Sequence, residues 1–154
     1  RHCDRVRMGC IAQIVNVLQS VLLTDGDQMV RTPTYYVFHM FRAHQGAQLV
    51  QSSLCGTAKV GTEADQVTDV HQSVSVDENG RLTVTLANVS LIEILLTERT
   101  PQNPEGVLLH GAVNAYNQFG EEEKIKEETF DQFELTDRGL RFVLPACSVM
   151  TIRL

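Results

Sequence analysis

The chain has 154 residues, of which 43% are hydrophobic, enough to bury one sizeable core and too apolar for a disordered tail. Thirteen basic and 19 acidic residues leave a formal charge of −6. That balance opposes binding to a polyanion and offers no broad basic face to anionic lipid, so neither nucleic acid nor a membrane surface is expected as a partner.

Taken in chain order, the charged opening Arg1-His2-Cys3-Asp4-Arg5 leads into Val6 to Leu23, an apolar run interrupted by Arg7, Gln13, Asn16, Gln19 and Ser20. Those interruptions fit neither a signal peptide nor a membrane span, and the start in mid-pattern reads as a cut, so a fragment is expected. Within the run, Ile11, Ile14, Val15, Leu18 and Leu22 follow helical spacing, while Val6, Met8, Cys10 and Ala12 alternate. The expectation is a buried strand at the start that can turn helical. Thr24-Asp25-Gly26-Asp27 is a turn sequence.

Thr32-Pro33 predicts a helix start, with the threonine hydroxyl as cap and proline at the first helical position. Tyr36, Val37, Met40, Phe41 and His44 then share one face, and Gly46 is placed to end a helix over about residues 33–45. By the same spacing, Tyr35, Tyr36, Phe38 and Phe41 read as core residues rather than a sugar-stacking platform.

After Gly46 the pattern changes to period two, as in an antiparallel sandwich. Candidate strands are Gln48 to Leu54, Val67 to Val76, Arg81 to Asn88, Ile92 to Thr97, Gly106 to Ala112, Phe130 to Leu135, Gly139 to Leu144 and Val149 to Leu154. Asp77-Glu78-Asn79-Gly80 and Thr136-Asp137-Arg138-Gly139 read as hairpin turns. In Arg81 to Asn88, Leu82, Val84 and Leu86 alternate with Arg81, Thr83 and Thr85, which predicts one wet face.

Cys3, Cys10, Cys55 and Cys147 form no CxxC pair, and their surroundings predict buried free thiols of a reducing compartment, hence a cytoplasmic protein. His39 and His44 lie five apart, off the same-face spacing of a two-histidine metal site, and His71 and His110 are isolated in strand-like runs. All four read as structural or surface residues, and no metal or cofactor is expected. The run Glu121-Glu122-Glu123, with Lys124, Lys126, Glu127 and Glu128, reads as a solvated loop without a catalytic role.

Three stretches resemble the C-terminal region of family 51 (GH51) α-L-arabinofuranosidases. His2-Cys3-Asp4-Arg5-Val6-Arg7-Met8-Gly9-Cys10-Ile11-Ala12-Gln13-Ile14-Val15-Asn16-Val17-Leu18-Gln19 is similar to the end of the last barrel unit of that family. Arg31-Thr32-Pro33-Thr34-Tyr35-Tyr36-Val37-Phe38-His39-Met40-Phe41 looks like its final barrel helix, and Leu144-Pro145-Ala146-Cys147-Ser148-Val149-Met150-Thr151-Ile152-Arg153-Leu154 like its closing sandwich strand. Asn114-Ala115-Tyr116-Asn117-Gln118-Phe119 resembles a family loop, slightly altered.

The fold so implied is mainly β: an antiparallel, jelly-roll-like β-sandwich over residues 47–154, preceded over 1–46 by the last strand-loop-helix unit of a (β/α)8 barrel. The implied activity is that of a retaining hydrolase releasing terminal α-L-arabinofuranosyl groups from arabinan, arabinoxylan or arabino-oligosaccharides, without a cofactor. The resemblance also implies a homo-oligomer.

Retention needs two carboxyl groups about 5 to 5.5 Å apart. The family carries both on earlier barrel strands, and a whole barrel takes about 250 residues. Glu93, Glu98 and Glu105 match no family motif, so no residue of this chain is assigned to catalysis and the chain alone is expected to be inactive.

Gln13 matches a family glutamine that contacts the sugar, and Asn16, a weaker candidate of the same kind, reads as a structural residue. The alternative is a self-standing carbohydrate-binding module. With no Trp, three Tyr and six Phe, the means for sugar stacking are thin, and Tyr116 and Phe119 are the best candidates. Residues 1–45, shaped to pack on other barrel units, are expected to fold back on the sandwich or to mediate self-association.

Overall fold

The computed structural model describes residues 2–6, 8–91, 94–98, 103–137 and 139–154, with residues 94–98 described through their backbone. The elements in chain order are β1 (Leu22–Asp25), β2 (Gln28–Arg31), α1 (Pro33–Phe41) with a 3-10 turn at Arg42–His44, β3 (Gln48–Leu49), β4 (Lys59–Gly61) and β5 (Gln66–Thr68). There follow β6 (Val70–Val76), β7 (Leu82–Asn88), β8 (Ile94–Glu98), β9 (Glu105–His110), β10 (Glu128–Phe130), β11 (Glu134–Thr136), β12 (Gly139–Leu144) and β13 (Ser148–Arg153).

Two antiparallel sheets form the body: a six-stranded one ordered β10-β9-β13-β7-β6-β3 and a three-stranded one ordered β11-β12-β8. The β6–β7 hairpin shows how local sequence sets register. Asp77 Oδ1 accepts from the Asn79 and Arg81 amides at 2.9 Å each, and Gly80 adopts the left-handed φ of 79° that closes the turn. Val76 is thereby paired with Leu82, which puts Val74 opposite Val84.

One core lies between the sheets. Leu86, Met150 and Ile152 from the large sheet and Leu140 and Leu144 from the small one are fully buried. Phe130, Phe133 and Phe142 close it with edge-on ring pairs 5.0 to 6.3 Å apart. On β12 the burial alternates strictly, Leu140, Phe142 and Leu144 inward with Arg141 and Val143 exposed, so the outer face of the small sheet meets solvent.

The outer face of the large sheet does not. Tyr36 and Met40 of α1 pack on Leu109 of β9 and on Ile125, with Val107 and Val149 alongside. This cover overturns the wet face expected for β7: Thr83 and Thr85 are 5% and 2% exposed. The buried Thr85 hydroxyl has a partner there in His44.

The helix begins at Pro33 and its 3-10 extension ends before Gly46, whose φ is 72°. Thr32 does not cap it. Its hydroxyl instead donates to the Ser20 and Val21 carbonyls at 2.7 and 3.1 Å, fastening the helix start to the preceding chain. Of the four aromatics expected in the core, Tyr36 is buried, whereas Phe38 and Phe41 are 55% and 38% exposed. Phe38 lies two positions from both Tyr36 and Met40, which turns it away from the sheet they face.

The largest departure is at Val6 to Leu23. Among the described residues no helix forms there and no strand precedes Leu22; an isolated bridge joins Val15 to Leu22. A strand needs a continuous ladder to satisfy its backbone, and among the described residues before Leu22 the one bridge is that of Val15 to Leu22. Met8 and Leu18 are 80% and 92% exposed as a result. Cys3, Cys10 and Cys55 are exposed free thiols and Cys147 is half-buried, correcting the expected burial, because the apolar neighbours of Cys10 are themselves in solvent.

Smaller differences follow from local breaks. Val67 to Val76 divides at Asp69, whose amide donates to Ala58 O while its carboxylate accepts from Val70 N. Phe130 to Leu135 divides between the two sheets at a tight turn closed by Phe133 N and Asp131 O. Gln48 to Leu54 shortens to β3, and the hairpins β1–β2 and β4–β5 were not foreseen. Ile92 to Thr97 overlaps β8, its first two residues lying outside the described ones.

Candidate functional site

The segment carrying Gln13 is an irregular loop held against β1. The Ile14 carbonyl accepts from the Val21 and Leu22 amides at 2.9 and 3.1 Å, and Asn16 N donates to Leu22 O at 3.1 Å. Gln13, Asn16 and Gln19 all adopt left-handed backbone, with φ of 50°, 55° and 63°. Each such turn costs a non-glycine residue about 1–2 kcal/mol, least for asparagine, so the loop must be held from outside.

The Asn16 side chain does this. Its Nδ2 donates to Thr24 O at 3.1 Å and Thr24 Oγ1 at 3.0 Å, and its Oδ1 accepts from Thr24 N at 2.7 Å. The Asn16 side chain is thus engaged within the fold, on Thr24. Gln13 is exposed on the same loop, and its amide is chemically suited to donate to one sugar hydroxyl and accept from another.

A second cluster joins α1 to the acidic run. Glu123 Oε1 accepts from Arg31 N at 2.9 Å and Arg31 Nε at 3.2 Å, while Oε2 lies 3.1 Å from the second guanidinium nitrogen and accepts from the Tyr36 hydroxyl. The guanidinium also sits 5.8 and 5.6 Å from the Tyr35 and Tyr36 ring centres. Burial, reinforced by Glu123, pushes the Tyr36 hydroxyl up to about 12. Burial opposes ionisation of Glu123 as well, but its bonds to Tyr36 and to the Arg31 amide and guanidinium outweigh that and hold its carboxyl below the usual range.

Glu127 extends the cluster, 2.6 Å from His39 Nδ1. Asn117, 4% exposed, completes it from the neighbouring loop: Nδ2 donates to Arg31 O and Ile125 O at 2.9 and 2.7 Å, and Oδ1 accepts from Ile125 N at 2.8 Å. The reading of the acidic run as a solvated loop therefore fits Glu121 and Glu122, which pair with Lys124 and Lys126, but not Glu123 and Glu127. The difference is that Ile125, an apolar residue in the middle of the run, is buried and pulls its neighbours onto the helix.

His44 bridges the 3-10 turn to the large sheet, with Nδ1 2.6 Å from Ser75 Oγ and Nε2 3.1 Å from Thr85 Oγ1. The Thr85 hydroxyl donates to Ser73 O, so its oxygen accepts from Nε2–H, and in the neutral ring Nδ1 then accepts from the Ser75 hydroxyl. That relay requires a neutral ring, and burial lowers the His44 pKa below its ordinary 6.5. A base with a depressed folded pKa contributes stability that is present above its unfolded value and lost as pH falls through the folded one. Melting temperature should therefore fall between about pH 7 and 5, and the His44→Gln variant should show a shallower fall over that window. Equal slopes in the two proteins would remove His44 from this role.

The remaining candidates do not converge. His71 is exposed, His110 lies 3.7 Å from Glu128, and Glu105 pairs with Arg81. Glu98 ends β8 opposite Leu140, and Glu93 lies outside the described residues. Among the described residues no three His, Cys, Asp or Glu side chains are grouped to hold a metal, and no helix is long and apolar enough to cross a membrane. Tyr116 is 63% exposed and Phe119 half-buried, which leaves one free ring in that loop.

A family model described as the α-L-arabinofuranosidase C-terminal domain matches residues 1–148. The chain belongs to this family. An intracellular exo-α-L-arabinofuranosidase of Bacteroides ovatus is 32% identical over the whole chain, which spans 31% of that protein. An intracellular exo-α-(1→5)-L-arabinofuranosidase of Streptomyces lividans is 29% identical over 99% of the chain, which spans 24% of it.

Among solved structures, the GH51 arabinofuranosidase of Xanthomonas axonopodis pv. citri matches 99% of the chain at 33% identity with a TM-score of 0.87, over 32% of its own length. A family 51 α-L-arabinofuranosidase of Bifidobacterium longum matches as much with a TM-score of 0.85 at 23% identity, which speaks to the fold alone. The chain thus spans about a third of the length of its first relatives.

In this C-terminal domain the residues that sequence reading missed are the buried polar ones. Asn117 stood inside a recognised loop, yet nothing local marked it as the side chain that closes three backbone bonds. Glu123 could not be told from Glu121 and Glu122, since its partner Arg31 is far away in sequence.

Proposed function

We propose that this chain is the C-terminal part of a retaining glycoside hydrolase that removes terminal α-L-arabinofuranosyl groups from arabinan, arabinoxylan or arabino-oligosaccharides. The observation that carries the reading is the match of nearly the whole chain, in sequence and in structure, to about a third of the length of enzymes named as arabinofuranosidases. Residues 1–46 make the last unit of the catalytic barrel, and residues 47–154 a sandwich that buttresses it.

The two carboxyl groups that retention needs belong to the upstream barrel, so the chain alone does no chemistry. Its contribution to the sugar is Gln13. Barrel enzymes build their sites on loops, and an exposed amide on this one matches donor and acceptor to vicinal hydroxyls. The exposed side chains of Val6, Met8, Ile14 and Leu18 are the surface this unit turns to the rest of the barrel. The names of the two curated relatives support a cytoplasmic enzyme, and the family resemblance a homo-oligomer.

The test is hydrolysis of 4-nitrophenyl α-L-arabinofuranoside by this chain beside a longer protein that includes the upstream barrel. Turnover by the longer protein alone is the expected result. Turnover by the 154 residues themselves would place a carboxylate pair within them and overturn the assignment.

A further inference from the structure

We propose that Asn16 is a positioning residue for the sugar contact of Gln13, its side chain acting as a clamp that holds the loop in the conformation presenting that amide. The inference rests on the proposed role of Gln13 and adds to it the device that fixes its geometry.

The observations are local and concur. Three left-handed residues at positions 13, 16 and 19 make a loop that a polypeptide does not adopt by itself. Asn16 is the middle one, and it spends every bonding atom of its side chain on one residue, Thr24, eight positions away on β1. The Ile14 carbonyl, next to Gln13, is held by the amides of Val21 and Leu22 just before Thr24. Gln13 therefore sits at the free end of a loop pinned twice to the same strand.

Both Asn16 and Gln13 are exposed. Hydrogen bonds in solvent add little to folding stability, so three of them converging on strained backbone serve shape better than they serve stability. Backbone strain held in this way is found where a side chain must be presented in one orientation. Asparagine suits the task because it tolerates left-handed backbone while offering a donor and an acceptor side by side.

The experiment is steady-state kinetics of the full-length enzyme carrying this chain, on 4-nitrophenyl α-L-arabinofuranoside, well below each variant's melting temperature. Gln13→Ala should lower kcat/KM about tenfold, the worth of a neutral hydrogen bond to the sugar. Asn16→Ala should produce a comparable loss, and the double variant should be no worse than Gln13→Ala alone, because Asn16 acts through Gln13. Asn16→Gly, which permits the left-handed backbone but lacks the clamp, should be as impaired as Asn16→Ala.

Should Asn16→Ala not fold, Asn16→Asp keeps the acceptor for Thr24 N, loses both donor bonds and should give an intermediate loss. If Gln13→Ala is impaired while the folded Asn16 variants retain wild-type kcat/KM, the clamp is structural only and the proposal falls. Independent, multiplying losses in the double variant would also overturn it. Wild-type kcat/KM in Gln13→Ala would remove the sugar contact itself, and the proposal with it.

Discussion

Replacing Leu86 with alanine is expected to destabilise the chain by about 3 kcal/mol. Leu86 has no exposed surface, lies near the middle of β7 and is flanked in register by Gln72 of β6 and Met150 of β13. Its side chain meets the core shared with Leu140 and Leu144 of the small sheet, so truncation removes contacts between layers and leaves a cavity that paired strands on both sides cannot collapse into. Urea unfolding should show a lower midpoint with an unchanged slope. Leu135→Ala, on the exposed face of β11 at 65% accessibility, should stay within about 0.5 kcal/mol of wild type. Equal losses in the two variants would mean that the sheets do not pack as described.

Glu123→Ala is expected to cost about 2 kcal/mol at neutral pH, because it leaves the buried Tyr36 hydroxyl and the Arg31 amide without their acceptor. The side chain of Glu123 is 17% exposed, so solvent screens these bonds only in part. The effect should also depend on pH in a defined direction. A carboxylate whose folded pKa is depressed contributes stability that is fully present above its unfolded value, 4.5, and lost as pH falls through the lower folded one.

Wild type should therefore lose its advantage over Glu123→Ala as pH drops from about 5 towards 3, the two unfolding curves drawing together. Glu122→Ala, at a carboxylate 85% exposed, should show neither the loss nor the pH dependence. A Glu122 variant that behaved like the Glu123 variant would mean that the acidic run acts through net charge rather than through the bonds of Glu123.

Much of the body was legible because its information is local. Asp77-Glu78-Asn79-Gly80 encodes its turn through an aspartate that bonds its own following amides and a glycine free to take positive φ, and the flanking alternation then fixes the register of β6 on β7. Pro33 and Gly46 bracket the helix for equally local reasons. The role proposed for Gln13 rests on resemblance alone, since no periodicity distinguishes an exposed glutamine that binds from one that does not.

Where expectation failed, a partner distant in sequence decided. Alternation in β7 correctly marked its two faces, but whether the threonine face met water depended on where α1 came to rest, and it came to rest there because Tyr36 and Met40 find Leu109 and Ile125. Val6 to Leu23 carries the composition of a strand, yet composition supplies no neighbour, and without one the backbone folds into a loop pinned by Asn16 and Thr24. The amino-acid sequence by itself determined the turns, the helix limits, the period-two strands and, through family likeness, membership among arabinofuranosidase C-terminal domains. Tertiary structure alone decided which faces were covered and which of several glutamates turned inward, because burial and pairing are properties of two segments at once and neither segment encodes the other.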